Sequence, residues 1–147
     1  MIYVDADACP VIGIIEKTAK EFSLPVTLIC DTSHIISSDY STVLVIGKGN
    51  DAVDFNLVNR AQKGDIVVTQ DYGLAAMVLA KGAYAINQNG IVFDSNNIGL
   101  YLDSRYFSGK ARRESAKCHL KGPKKRTKDD DERFYKALHT MLNALKC

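Results

Sequence analysis

The chain opens with Met1-Ile-Tyr-Val-Asp-Ala-Asp-Ala-Cys-Pro10, which combines an apolar run, two aspartates and a proline. Ile2 to Val4 is predicted to form a short buried strand, followed by a helix with Pro10 in its first turn. Asp5 and Asp7 therefore stand where a strand ends and a helix begins, which is where open α/β sheets carry their chemistry. Two carboxylates this close favour a hard divalent cation that offsets their repulsion.

Length and composition predict one domain spanning residues 1–147, because 147 residues with 46% hydrophobic content can bury a core of ordinary size. No charged segment followed by an apolar one opens the chain, and no apolar stretch approaches the length of a membrane span. A cytoplasmic protein without a membrane partner is therefore expected. The cysteines lack Cys-x-x-Cys spacing, which predicts reduced thiols and no zinc site; they are Cys9, Cys30, Cys118 and Cys147.

Apolar, β-branched runs alternate along the chain with helical patterns of about ten residues. This alternation predicts an α/β fold with three layers, in which helices flank a mostly parallel central sheet. The later strands are predicted at Val26 to Cys30, Thr42 to Ile46, Ile66 to Thr69, Ala83 to Ile86 and, as an edge strand, Ile91 to Phe93. The first two of these are expected to be covered on both faces. Helices are predicted at about 51–62, 74–80 and 97–106.

Acidic residues follow several of the predicted strands. Asp5 and Asp7 follow the first, Asp51 and Asp54 begin the helix after Thr42 to Ile46, and Asp71 follows Ile66 to Thr69. Parallel strands end at a common edge, so four or five carboxylates are expected to meet there. The alternative for Asp51, Asp54 and Asp71 is a purely structural role as helix caps.

An all-oxygen cluster of carboxylates favours Mg²⁺ or Mn²⁺ over zinc. The chemistry implied is metal-activated attack of water on a phosphodiester bond. Catalytic roles are predicted for Asp5, Asp7, Asp54 and Asp71. Metal ligation is predicted for the same four residues and Asp51, with Asp7 and Asp51 as ligands or as bases that orient water.

The basic residues are concentrated in one segment. Residues 1–109 carry 7 Lys and Arg against 12 Asp and Glu, whereas residues 110–128 carry 9 against 1. A flexible basic arm is predicted at about 108–128, followed by a helix at about 129–145 that docks on the body and begins with a capping box at Thr127 to Asp130. The residues predicted to contact nucleic acid are Arg105, Arg112, Arg113, Lys121, Lys124, Lys125 and Arg126.

Several motifs together resemble a known family. They are Val4-Asp-Ala-Asp-Ala-Cys-Pro-Val11, Asn50-Asp-Ala-Val-Asp-Phe55, Gly64-Asp-Ile-Val-Val-Thr-Gln-Asp-Tyr-Gly-Leu-Ala-Ala76, Lys81-Gly-Ala83, Asn97-Ile98, Ser104-Arg105 and Gly122-Pro123. In this combination the chain resembles the bacterial YaiI/YqxD family, which is grouped with PIN-like nucleases. The resemblance covers nearly the whole chain.

Membership of the PIN-like group would imply a metal-dependent ribonuclease with an acidic cluster at the carboxyl edge of a parallel sheet. The resemblance carries metal ligation to Asp5, to Asp71 through Thr69-Gln-Asp71, and to Asp54 in the intervening helix. Asp7 and Asp51 belong to motifs of the YaiI/YqxD family itself. The second acid that PIN-like proteins carry close behind the final aspartate is absent, because residues 72–74 are Tyr, Gly and Leu.

The leading hypothesis from the sequence is a Mg²⁺- or Mn²⁺-dependent nuclease that acts on RNA. One alternative is a nucleic-acid-binding protein without catalytic turnover, which uses the basic arm over a structural acidic site. Another is a metal-dependent hydrolase of small phosphoesters, which would not need residues 110–128.

Overall fold

The computed structural model describes residues 1–7, 9–33, 36–47, 52–103 and 125–146. Its strands are β1 (Ile2–Asp5), β2 (Val26–Asp31), β3 (Thr42–Ile46), β4 (Ile66–Val68), β5 (Tyr84–Ile86) and β6 (Val92–Phe93). Its helices are α1 (Ile12–Glu21), α2 (Ala52–Arg60), α3 (Tyr72–Ala80), α4 (residues 98–103) and α5 (Lys128–Lys146). Pro10 precedes α1 instead of lying in its first turn, because Val11 is the residue that flanks the helix.

The described strands form one sheet in the order β3-β2-β1-β4-β5-β6. Strands β1 to β5 are parallel to their neighbours, and β6 pairs antiparallel with β5. The predicted α/β fold with a mostly parallel sheet is confirmed. Strands β2 and β3 lie on one side of β1, and β4, β5 and β6 lie on its other side, so the strand order reverses between β1 and β4. In open α/β sheets, this reversal is where ligands bind.

The two faces of the sheet follow the alternation of side chains along each strand. Ile2 and Val4 face a core shared with α1 and α5, whereas Tyr3 packs against the core on the opposite face. Helices α2 and α3 cover that opposite face with buried leucine, valine and alanine side chains. The sheet is therefore the middle of three layers, as the sequence predicted.

Strand β3 differs from the expectation that it is covered on both faces. Its only partner in the described sheet is β2, and Thr42 and Val45 are exposed, the latter to 55%. An edge strand has a neighbour on one side alone, so an apolar, β-branched composition does not ensure burial there.

Helix α5 packs its apolar stripe against the body through Phe134, Leu138 and Leu142, all of which are buried. Its start is closed by reciprocal hydrogen bonds. The Thr127 N–H donates to Asp130 Oδ2 at 2.9 Å, and the Asp130 N–H donates to Thr127 Oγ1 at 3.4 Å. Neither α5 nor any other helix in the described ranges is long and apolar enough to cross a membrane.

The turn between β5 and β6 lies tightly against α5. Gly90 has a φ of +84°, and a Cβ added there would stand 2.7 Å from the carbonyl oxygen of Arg133. Both the backbone conformation and the contact with α5 therefore require glycine.

Replacing Gly90 with alanine is expected to destabilise the protein by about 1–3 kcal/mol, because the turn and α5 must separate to admit the methyl group. Urea unfolding monitored by circular dichroism measures this change. Gly13→Ala is the matched control, since Gly13 lies in α1 with nothing within 4 Å of its added Cβ. The control is expected to gain about 0.5–1 kcal/mol from helix propensity. Equal stability of Gly90→Ala and the wild type would contradict the packing described here.

Candidate carboxylate site

An open cleft of about 400 Å³ lies at the carboxyl edge of the sheet, where the strand order reverses. It is lined by Asp5 at the end of β1, Asp7 just beyond it, and Asp71, which follows β4 and precedes α3. Gln70 and Tyr72 complete the lining. The structure thus brings together three of the predicted acids, and none of these lining residues is cationic.

The buried hydroxyl of Thr69 connects two of the acids. Thr69 Oγ1 donates to Asp5 Oδ2 at 3.1 Å and accepts from the Asp71 N–H at 3.0 Å. The register explains this contact, because Val4 pairs with Val68 and the next residues along are Asp5 and Thr69. Thr69, the threonine of the Thr-x-Asp motif, therefore binds the carboxylate of Asp5 and the backbone N–H of Asp71.

Asp71 is both a helix cap and a residue of the cleft. Its Oδ1 accepts from the N–H groups of Gly73 at 2.8 Å and Leu74 at 3.2 Å, the arrangement of an N-cap of α3. A Cβ at position 73 would come 3.2 Å from Asp71 Oδ1, so glycine leaves room for the cap. The cap fixes the orientation of the Asp71 carboxylate. Asp71 therefore caps α3, as the alternative interpretation predicted, and also lines the cleft.

A further acid, Asp31, lies beside the cleft and was not among the predicted residues. Its N–H donates to Asp7 Oδ1 at 3.3 Å, and its own Oδ1 accepts from the Ser33 N–H at 2.7 Å. Asp31 ends β2, the neighbour of β1 in the sheet. The rule that acids follow parallel strands could have identified it, because it comes directly after the apolar run Val26 to Cys30.

Burial raises the pKa of Asp5 to about 6, from an ordinary value of 3.8. The hydrogen bond from Thr69 opposes this change, and the negative charges of Asp7 and Asp71 add to it. Asp7 and Asp71 are thus close enough to act on Asp5, and burial makes the charged form of Asp5 unfavourable.

The neighbouring cysteine is not set up as a nucleophile. Burial raises the pKa of the Cys9 thiol, a hydrogen bond with the backbone of Val11 lowers it, and the Asp5 charge raises it again. The positive charge of Arg126 also acts on this thiol and lowers its pKa. The net upward shift favours the protonated thiol, which is a weak nucleophile and a poor metal ligand.

Of the two remaining predicted acids, the structure describes only Asp54, which lies half-buried in the first turn of α2 and is not among the described lining residues of the cleft. Asp51 falls outside the described residues. Within the described ranges, no three side chains of His, Cys, Asp or Glu are grouped so that they alone could hold a metal ion. The arrangement is a set of carboxylates around an open space and differs from a closed metal cage.

The predicted nucleic-acid contacts fall mostly outside the described residues. This applies to Arg105, Arg112, Arg113, Lys121 and Lys124. Lys125 is exposed. Arg126 makes contacts within the protein: its guanidinium donates to Asp131 Oδ1 at 2.6 Å, to Asn89 Oδ1 at 3.1 Å and to the Gln88 carbonyl oxygen at 2.8 Å.

The raised pKa of Asp5 makes stability depend on pH. The folded state binds this proton more tightly than the unfolded chain, so the charged carboxylate destabilises the fold above pH 6 and the penalty falls as the pH drops from 6 towards 4. In metal-free buffer, Asp5→Asn is expected to stabilise the protein by about 1–3 kcal/mol at pH 7.5 and by much less at pH 4.5. Urea unfolding at the two pH values measures the difference.

Asp39→Asn is the control for this comparison, because Asp39 is exposed and does not line the cleft. Its effect on stability is expected to be small, because an exposed side chain makes few contacts to lose. If Asp5→Asn raises the free energy of unfolding equally at both pH values, or lowers it at pH 7.5, then burial and neighbouring charges do not disfavour the charged form of Asp5.

Comparison with known proteins gives the family of the chain. The family described as "Uncharacterized BCR, YaiI/YqxD family" matches residues 3–144. A UPF0178 protein of Clostridium acetobutylicum is 57% identical over 141 residues, covering 96% of this chain and 95% of that protein. Another, from Ruminiclostridium cellulolyticum, is 50% identical over 137 residues, covering 93% and 88%. No solved structure matches. The chain belongs to the YaiI/YqxD family, as its motifs indicated.

Proposed function

We propose that this protein is a Mg²⁺- or Mn²⁺-dependent nuclease that hydrolyses phosphodiester bonds in RNA. The observation that carries the proposal is the cleft between β1 and β4, where Asp5, Asp7 and Asp71 line one open space at the reversal of strand order. Carboxylates gathered at this position, without a cation among the described lining residues, suit a hard divalent ion and a phosphate ligand.

The donor set fits an ion that the protein holds only in part. Magnesium usually keeps several waters and binds through one or two carboxylates together with substrate phosphates, instead of in an all-protein cage. Asp5, Asp7 and Asp71 would hold it from their places around the cleft. Asp54 is proposed to assist from the first turn of α2, which follows β3 and so begins towards the same edge of the sheet, and Asp51 is proposed as a further ligand. A bound ion would activate water and stabilise the leaving oxygen.

The protein's own contribution is the fixed orientation of the acids. Thr69 holds Asp5 through its hydroxyl, and the cap at the start of α3 holds Asp71. Asp7 receives the backbone N–H of Asp31 on Oδ1 and is proposed to orient or deprotonate the attacking water. Such prior positioning reduces the reorganisation that the reaction requires.

Nucleic acid is proposed as the substrate because of the basic segment, with 9 Lys and Arg against 1 acid in residues 110–128. Two described residues relate this segment to the cleft. Tyr101, which precedes it, contacts Tyr72 of the lining, and the charge of Arg126, near its end, acts on the Cys9 thiol next to the acids. The residues proposed for phosphate contact are Arg105, Arg112, Arg113, Lys121, Lys124 and Lys125, whereas Arg126 is proposed to anchor the end of the segment.

The resemblance to PIN-like nucleases supports RNA as the polymer and supports Asp5, Asp54 and Asp71 as the acids of the reaction. The absence of a second acid behind Asp71 favours a site with few protein ligands. This agrees with an ion that is completed by water and substrate.

Hydrolysis of a fluorescently labelled RNA pool with added Mn²⁺ or Mg²⁺ tests the proposal. The wild type is expected to cleave only with the metal, and Asp71→Asn to lose at least about 100-fold in rate, because a metal-binding carboxylate is removed. Asp39→Asn is the control and should cleave like the wild type, since Asp39 lies outside the cleft. Cleavage that persists in EDTA or in Asp71→Asn would refute the proposal.

Other outcomes identify the alternatives. RNA binding without cleavage, together with the absence of Mn²⁺-induced NMR broadening at Asp5, Asp7 and Asp71, would indicate a non-catalytic RNA-binding protein. Metal-dependent hydrolysis of a small phosphodiester such as bis-p-nitrophenyl phosphate, unchanged by Arg112→Gln with Arg113→Gln and without action on RNA, would indicate a small-phosphoester hydrolase.

A further inference from the structure

We infer that Tyr72 is a stacking platform for an unpaired base beside the carboxylate site, so that the substrate class is single-stranded nucleic acid. The inference rests on the proposed function for the identity of the polymer. It assigns to Tyr72 a role in substrate specificity that is separate from the chemistry of the acids.

Tyr72 stands next to the carboxylates in both sequence and space. It is the first residue of α3, directly after Asp71, and it lines the same cleft as the three acids. The other lining residues are carboxylates and one amide, so Tyr72 is the aromatic residue among the described lining residues. A nucleotide whose phosphate lies at the acids would therefore have a ring within reach for its base.

The ring is held in place by two other aromatic side chains. Its centroid lies 5.7 Å from that of Phe93, with the rings nearly perpendicular, and 5.3 Å from that of Tyr101. Phe93 and Tyr101 also contact each other at 5.3 Å, which closes a triangle of three rings. Phe93 is only 2% exposed, whereas Tyr72 is half-buried and is one of the residues that line the cleft.

The backbone of Tyr72 is fixed as well. The Asp71 carboxylate accepts from the N–H groups of Gly73 and Leu74, so Tyr72 lies inside a closed capping turn. A ring held by its backbone and by neighbouring rings loses little conformational freedom when a base stacks on it. The site is in this sense pre-organised for stacking.

The chemistry of stacking determines the substrate class. Base stacking on an aromatic side chain strengthens binding by about one to two orders of magnitude per base and tolerates every base. In a duplex both faces of a base are already stacked, so only an unpaired base can use the ring. The cleft, at about 400 Å³, lies within the usual range for small-molecule sites and accommodates a nucleotide.

A purely structural explanation would have Tyr72 only pack β6 and α4 against α3. Packing of this kind would not make RNA binding depend on the residue at position 72. The two explanations differ in their consequences for ligand binding, and a fluorescent probe at position 72 separates them.

The chain contains no tryptophan, so Tyr72→Trp introduces a single probe at the proposed platform. In the full-length protein with Asp71→Asn, which prevents cleavage, a single-stranded RNA octamer is expected to quench this tryptophan saturably in low salt. The matching blunt duplex is expected to require at least about 10-fold higher concentration. Binding detected by fluorescence anisotropy of labelled RNA without quenching, or equal quenching by duplex, would overturn the inference.

Two further variants test the ring itself. Tyr72→Phe keeps the aromatic face and should keep the Kd for the octamer, whereas Tyr72→Leu should weaken it by about 5- to 100-fold. Thermal unfolding of both variants measures the change in packing separately. If both bind the octamer like the wild type, stacking at this position is refuted.

The binding experiments on Tyr72 and the RNA cleavage assay test the platform and the nuclease separately. Quenching with single-strand preference but no metal-dependent cleavage by the wild type would refute the nuclease and retain the platform. Metal-dependent cleavage that is equal on single strands and duplex, and unchanged in Tyr72→Leu, would retain the nuclease and refute the platform.

Discussion

The pairing of β1 with β4 is the constraint on which the site depends. Its register pairs Val4 with Val68, and the following residues, Asp5 and Thr69, are joined by a hydrogen bond of 3.1 Å. These two strands are 61 residues or more apart in sequence, and their pairing creates the reversal of strand order. Without it, Asp5 and Asp71 would belong to different parts of the surface and would share neither the cleft nor the hydroxyl of Thr69.

The gathered acids oppose the stability of the fold that gathers them. Burial and the charges of Asp7 and Asp71 raise the pKa of Asp5, which means that the charged form is disfavoured in the folded protein. The hydrogen bond from Thr69 partly offsets this at Asp5, while the backbone of Asp31 donates to Asp7 and the first turn of α3 donates to Asp71. Natural proteins tolerate such local strain chiefly at functional sites.

Much of the fold could be predicted because its patterns are local. Alternating apolar runs and helical stripes predicted the strands and helices, and the position of Asp5 and Asp71 after strands predicted the edge at which they meet. The features that local patterns did not reveal concern partners. An apolar composition did not show that β3 is an edge strand, and the run of basic residues did not show which groups Arg126 contacts within the protein, namely Gln88, Asn89 and Asp131. Exposure and pairing depend on residues distant in sequence, which periodicity does not report.

The sequence by itself determined the family, the α/β class and the acids that end its strands, because each is encoded in short motifs or in local periodicity. Only the tertiary structure decided which acids share a cleft, since that depends on strand order and register. It placed Asp5, Asp7 and Asp71 around one space, added Asp31 beside them and left Asp54 outside the lining. It also built the ring triangle of Tyr72, Phe93 and Tyr101, because stacking geometry arises from the packing of α3, β6 and α4 and from no spacing in the chain.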